Sequence, residues 1–184
     1  MLADQIAATN DNVLFVAIHA DDVMENDNYF SQTGLTALPS GNIDRALTNI
    51  DPLDWEVNIQ NRQMIPAPAD IVVTTNFDET TLDLEIIIEA TFTENLIGDF
   101  QLAAIIMEDA VTGPAPDYDQ SNAYAGGDEG PMGGYEDLPN PVPASLMVYD
   151  HVARVLPGDY QGDTDNLPDV IASGSVHTLS LIHI

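Results

Sequence analysis

Between Leu82 and Phe92 the side chains alternate: Leu82, Leu84, Ile86, Ile88, Ala90 and Phe92 against Asp83, Glu85, Glu89 and Thr91, interrupted only by Ile87. A period of two puts one set on each face of a pleated strand. A strand with one apolar face has to be covered, so this stretch commits the chain to a sheet with a second layer. After Glu94-Asn95-Leu96-Ile97-Gly98-Asp99 the alternation resumes at Phe100, Leu102, Ala104 and Ile106. Two such runs joined by a Gly-containing loop predict an antiparallel hairpin over Leu82–Asp109, with Ile86 and Ile106 in one wall of a β core. Each fully buried aliphatic contributes roughly 1.5–3 kcal/mol, enough for this hairpin to anchor that core.

Ahead of it, Leu2–Thr9 reads as a helix stopped by Asn10-Asp11-Asn12. Val13–Ile18 is a continuous apolar run, suited to a central strand covered on both faces as in a parallel sheet. Asp21–Ser31 reads as a short polar helix, Leu38–Asn42 as a turn and Ile43–Leu47 as a short strand. Asp51-Pro52 starts a helix, with Asp as N-cap and Pro in the first helical position. It runs to about Gln63 and is closed by Pro66 and Pro68. Ile71–Phe77 alternates as a strand, and Asp78-Glu79-Thr80 turns. Val111–Pro143 is a loop rich in Gly, Pro, Asp and Tyr, long enough to be functional or mobile. Leu146–Val155 does not separate helix from strand by period and is taken as a strand, and Ser175–Leu181 reads as the last strand. The expected fold class is α+β: an α/β segment over residues 1–64, then an antiparallel β-sandwich over 68–184.

Composition removes several function classes. The chain carries 31 acidic residues against Arg45, Arg62 and Arg154, with no lysine, for a formal charge of −28. Nucleic-acid binding releases counterions through Lys and Arg, which are nearly absent here. An anionic membrane surface is disfavoured for the same reason. With no cysteine there are no disulfides, thiolate metal sites or thiol catalysis, and with no lysine no Schiff base. No apolar run approaches the roughly 18 residues of a membrane-spanning helix. No basic segment followed by an apolar stretch opens the chain, so the sequence is read as cytosolic or as starting downstream of its true beginning. His-Glu-x-x-His and Gly-x-Ser-x-Gly are both missing, and the chain is expected not to be an enzyme.

The candidate site residues are few. His19, beside Asp21 and Asp22, falls at the C-terminal end of the Val13–Ile18 run, where α/β sheets place ligands. The alternative is a histidine hydrogen-bonded into its loop, since one His makes no metal site. His151 sits between Asp150 and Arg154, which share a face in a strand and would pair at its rim. Asp117-x-Asp119-x-Ser121, with Asp128 beyond, imitates part of a calcium loop. It lacks the turn glycine, replaced by Asn122, and has Asp128 in place of the bidentate glutamate, so a solvated acidic loop is the rival. Asp159, Asp163 and Asp165 form a second cluster. Calcium is the one candidate cofactor. Tyr118, Tyr124 and Tyr135 either stack on a sugar or peptide or pin the long loop down.

Phe15-Val16-Ala17-Ile18-His19-Ala20-Asp21 and Leu38-Pro39-Ser40-Gly41-Asn42-Ile43-Asp44-Arg45 together resemble the latter part of a thioredoxin-like domain. Phe100–Gly113, Tyr149-Asp150-His151-Val152-Ala153-Arg154 and Gly158 are similar to the Ig-like β-sandwich that follows it in the Omp-twenty-eight-related outer membrane proteins. The resemblance implies a cis bond at Pro39 and a non-enzymatic protein of the cell envelope or the extracellular space. Its partners would be a protein, peptide or glycan. The cysteine-containing turn of such a domain would lie upstream of Met1, which leaves a redox-protein fragment as the alternative. Ser180–Ile184 looks like the start of a peptide encoded by sequencing-adapter read-through. A chain cut at both ends would expose an unpaired sheet edge, a site of self-association.

Overall fold

The computed structural model describes residues 2–10, 12–158 and 160–183. Its helices are α1 (Leu2–Ala7), α2 (Asp27–Thr33) and α3 (Trp55–Gln63). Its strands are β1 (Gly41–Ile43), β2 (Leu47–Ile50), β3 (Ala69–Asp78), β4 (Asp83–Phe92), β5 (Leu96–Ile97), β6 (Ile106–Glu108), β7 (Val152–Val155), β8 (Val170–Ile171) and β9 (Val176–His183). They form four small antiparallel sheets, β1-β2, β3-β4-β9, β5-β8 and β6-β7. The architecture is mixed, mostly sheet, with few helices. The chain divides into two compact units, Met1–Ile65 with Ile106–Val155, and Pro66–Ile105 with Leu156–Ile184. It leaves the first unit at the proline-rich stretch expected as a boundary, then returns to it for fifty residues, which a single cut between 64 and 68 does not describe.

In the first unit Met24, Val111, Val142, Met147, Tyr149 and Val152 form a buried cluster, with Tyr118, Tyr135 and Leu138 packed against it. Most of these come from the long Gly- and Pro-rich segment. That segment is held by paired backbone bonds between Val111 and Tyr149, both 2.9 Å, and between Gln120 and Val142, 2.9 and 2.8 Å. Asp51 caps the next turn as its sequence predicts, its carboxylate accepting from the Leu53 N–H at 2.9 Å, and α3 follows to Gln63. Trp55 of α3 donates its indole N–H to the Ile50 carbonyl at 3.0 Å. A Cβ at Gly41 would lie 2.8 Å from that indole nitrogen, so only glycine lets β1 approach α3 this closely.

Four expectations for this unit are corrected: the Asp21–Ser31 helix begins only at Asp27 and runs to Thr33, and of Leu146–Val155 only Val152–Val155 is strand. Val13–Ile18 is no strand: Ala17 alone forms a parallel bridge, to Val152, and Leu14 is 90% exposed. A short apolar run without a period does not fix an element type. Ile43–Leu47 is not one strand either. Asp44 and Arg45 take positive φ (50° and 52°), and the turn they make splits it into β1 and β2.

In the second unit β3 and β4 pair along their full length, from Ala69 opposite Phe92 to Asp78 opposite Asp83. Asp78 holds the connecting turn, accepting from Thr80 N at 2.7 Å and Thr81 N at 3.3 Å. β9 lies along the other side of β4. Ile86, Ile88, Ala90 and Phe92 of β4 are buried, as the alternation requires.

The predicted Leu82–Asp109 hairpin does not form. Phe100–Ile105 has no regular structure, and Leu102 is held instead by the Asn166 amide, which accepts from its N–H at 2.9 Å and donates to its carbonyl at 2.6 Å. Ile106 opens β6, which pairs with β7 in the first unit, so Ile86 and Ile106 stand in separate elements. Alternation tells which face of a strand is apolar; it does not tell which strand lies alongside.

Candidate functional site

An acidic concavity lies in the first unit, a cavity of about 400 Å³ lined by Asp21, Asp22, Val23, Glu25, Pro116, Asp117 and Asp119. Two loops build it. In the first, the Asp22 carboxylate accepts from the Met24 N–H at 2.7 Å, and the Asp21 N–H donates to the Glu25 carboxylate. Asp21 takes φ 60°, a conformation that short polar side chains tolerate. In the second, the Ala115–Pro116 bond is cis, Tyr118 and Asp119 turn back onto Pro114 and Pro116, and the Asp119 carboxylate accepts from Ala144 N at 2.8 Å. The Tyr149 hydroxyl donates to the Tyr118 carbonyl at 2.8 Å. With five carboxylates in its lining, the cavity repels anions and concentrates cations.

His19 flanks this site. Its Nδ1 lies 2.7 Å from Asp22 Oδ2, and its ring meets Tyr149 edge to face at 5.5 Å. Burial, then the nearby Asp22, Tyr135, Asp119 and Tyr118, push the Tyr149 hydroxyl up to about 12, so it remains a neutral donor across the ordinary pH range. The imidazole is held by a carboxylate and the phenol by the Tyr118 carbonyl, so both are fixed behind the loops that line the cavity. No protein-family model, no curated protein and no solved structure matches this chain. The reading of the site therefore rests on its own geometry.

The structure brings Asp21, Asp117 and Asp119 into one cavity, which spacing alone did not indicate. Asp128 is not in its lining, so the expected Asp117–Asp119–Asp128 set is not assembled there. Among the described residues no three His, Asp or Glu side chains gather closely enough to hold a metal ion. Asp159 lies outside the described residues; Asp163 and Asp165, its companions, are exposed. His151 N donates to Asp109 Oδ1 at 2.7 Å, with the imidazole Nδ1 3.4 Å from the same oxygen. The expected Asp150–Arg154 pair is replaced: Arg154 Nε meets Glu108 Oε2 at 2.7 Å, and Asp150 accepts from Ala110 N at 2.8 Å. Asp150 precedes β7, so the two residues do not share a strand face. The Leu38–Pro39 bond is cis.

One residue that organises the long loop is marked in the sequence only as the replacement for a calcium-loop glycine. Asn122, 5% exposed, donates its amide to the carbonyls of Tyr135 (2.7 Å), Leu138 (3.2 Å) and Pro139 (3.3 Å), and accepts from Tyr124 N at 3.1 Å. The residue that spoils a calcium loop is the hub of the loop that forms. The only available signal was an Asn among Gly and Pro, which marks many turns.

The second unit contains an apolar cleft of about 220 Å³, walled by Pro68, Ile71, Phe92, Leu96, Phe100 and Leu167. Beside it β3 is exposed at nine of its ten positions, Ile71, Val72, Val73 and Phe77 among them. Among the described residues no helix is long and apolar enough to cross a membrane.

Proposed function

We propose that this chain is a non-enzymatic binding or assembly protein, secreted or resident in a bacterial cell envelope, engaging a protein, peptide or glycan partner. One observation carries the reading. β3 is a long, regular edge strand that presents Ile71, Val72, Val73 and Phe77 to solvent instead of to a core. Edge strands of soluble proteins are ordinarily blunted by Lys, Pro, charge or bulges; between Ile71 and Phe77 β3 has none of these. An extended partner adding to such an edge gains main-chain hydrogen bonds, and the exposed side chains select it. The finer kinship, a remnant thioredoxin-like segment ahead of an Ig-like sandwich, draws its support from the short motifs around His19, Pro39 and His151 and from the antiparallel sheet built on β4.

The test is a photo-cross-linking amino acid at Val73 in cells expressing the full reading frame, with the same probe at the exposed Leu14 as control. Adducts at position 73 and not at 14 are expected. Absence of any adduct at 73 removes the binding reading, and recovery of the protein in the soluble cytosol removes the envelope assignment.

A further inference from the structure

The open edge of β3 has a definite hydrogen-bonding face. Thr93 N donates to the Pro68 carbonyl at 2.8 Å, and Leu82 N to the Asp78 carbonyl at 2.7 Å. Continuing this parity along the register, Asp70, Val72, Thr74, Asn76 and Asp78 turn their backbone groups toward β4. The N–H and C=O groups of Ala69, Ile71, Val73, Thr75 and Phe77 then point away from the sheet. Among the described residues no strand takes them up.

The charge on the chain narrows what can. No charged residue lies between Ile71 and Phe77, so an acidic segment finds no counter-charge along the strand, and a basic one is drawn to the acidic cavity instead. The complement of this strand is a neutral, β-prone, extended segment, which β3 itself supplies. We propose that the occupant is a second copy of the chain, its β3 pairing antiparallel with this one about a two-fold axis at Val73. This inference rests on the binding reading and names its partner.

Only antiparallel registers that set outward-facing residues against each other can form the bonds, and two of these overlap nine of the ten residues of the strand. One, centred on Thr74, puts Asp70 opposite Asp78 of the other copy twice, and like charges directly opposite are destabilising. The other, centred on Val73, sets Val73 against itself, Ile71 against Thr75, Ala69 against Phe77, and Asp70 against Asn76. No two charges face each other in it. The pairing is isologous, so it closes at two copies, joining two three-stranded sheets into one. β9, the other edge, is the weaker candidate because His177, Leu179 and Leu181 along one of its faces are already half-buried.

The purified full chain should sediment as a monomer–dimer equilibrium. Because screening relieves repulsion between two acidic bodies, its dissociation constant should tighten about fivefold between ~0.05 and ~0.5 M NaCl, opposite to capture of a cationic partner. In this cysteine-free chain, V73C should form an interchain disulfide at least about tenfold faster than I97C, an exposed position off this edge. V73P removes a donor that faces away from β4 and should abolish the dimer while leaving the sheet's circular dichroism in place. If V73P does not fold, the V73C and I97C rates decide. A monomer at every protein and salt concentration, or equal cross-linking rates, overturns the inference; if position 73 still cross-links to a different macromolecule in cells, the binding reading survives that failure. A ladder of trimers and higher species also overturns it, in favour of head-to-tail β3–β9 pairing.

Discussion

Val142 lies in an irregular loop and is fully buried; Val72 lies in a ten-residue strand and is 59% exposed. The two units that hold them are ordered by different means. In the first, side chains do much of the work. Asn122 ties three carbonyls, Asp119 and Asp109 hold backbone amides, and Tyr118 and Tyr135 pack against the apolar cluster. In the second, a backbone ladder runs the length of β3 and β4, and one of those strands buries almost nothing. Regular hydrogen bonding and burial are separable. A segment with little helix or strand can be the core, and a full-length strand can be surface.

The largest effect expected from that difference is at Asn122. Asn122→Ala removes the amide that the Tyr135, Leu138 and Pro139 carbonyls share and the acceptor of the buried Tyr124 N–H, leaving Tyr135 only its bond from Leu138 N, at a cost of about 2 kcal/mol. Denaturant unfolding measures it, and hydrogen exchange at Tyr124 localises it to the first unit. A loss below about 1 kcal/mol would mean that the acidic loop does not depend on its hub. Matched truncations make the comparison direct. Val142→Ala, opening a cavity in the cluster, should cost about 2 kcal/mol. Val72→Ala, in the more regular element, should cost less than about 1 kcal/mol and owe that only to strand preference. Equal values would show a face of β3 to be covered in solution, which pairing at its edge does not do by itself.

What could be read in advance follows the same division. β4, β9, α1 and the Asp51-Pro52 start of the third helix were legible because periodicity and capping are local signals. The partner of β4 was not. Phe100–Ile106 mimics an alternating strand over a few residues, whereas the true neighbours are β3 and β9, the latter some ninety residues downstream. The acidic cavity was half legible: Asp21 and the Asp117–Asp119 pair were each singled out, but their union depends on a tertiary approach that no spacing encodes. Arg154 was tied to Asp150 by strand parity, yet Glu108, on the neighbouring strand β6, takes it. Asn122 was weighed only as a defect in a metal loop, since its three acceptors come from residues more than ten positions away.

A smaller effect tests the seal over the first unit's cluster. The Tyr149 hydroxyl is raised above its ordinary value of 10.0 to about 12, burial being the main cause. A raised native value means the neutral form is favoured by folding. That stability is fully present below pH 10 and is lost as the pH climbs from about 10 to about 12. Tyr149→Phe should cost about 1 kcal/mol at neutral pH, through the bond to the Tyr118 carbonyl, and should remove this tyrosine's share of the alkaline loss. Phenolate absorbance and thermal melts followed together across that window check both parts. An alkaline profile unchanged by the substitution would place the lability elsewhere.

The smallest effects compare one turn from each unit, because each is clamped by an exposed carboxylate. Asp78 is held below its ordinary 3.8 chiefly by the Thr80 and Thr81 amides. Glu136 is held below 4.5 by its own backbone N–H first, then by those of Met132 and Gly134. A lowered native value gives stability that is present above the ordinary one and disappears as the pH falls through the shifted one. Both turns should therefore loosen only in acid, seen as faster exchange at Thr80 in the second unit and at Met132 and Gly134 in the first. Asp78→Asn keeps an oxygen that can accept from Thr80, so it should preserve the β3–β4 turn while abolishing its acid response; Asp78→Ala should lose both. Because β3 and β4 are laddered from end to end, opening this turn should leave exchange near the middle of β4 unchanged. In the first unit, loosening at Glu136 should reach the Tyr135 carbonyl that Asn122 holds, and the Tyr124 amide with it. If acid spreads equally far in both units, side-chain ties and backbone ladders are equally cooperative, and the distinction between the two fails.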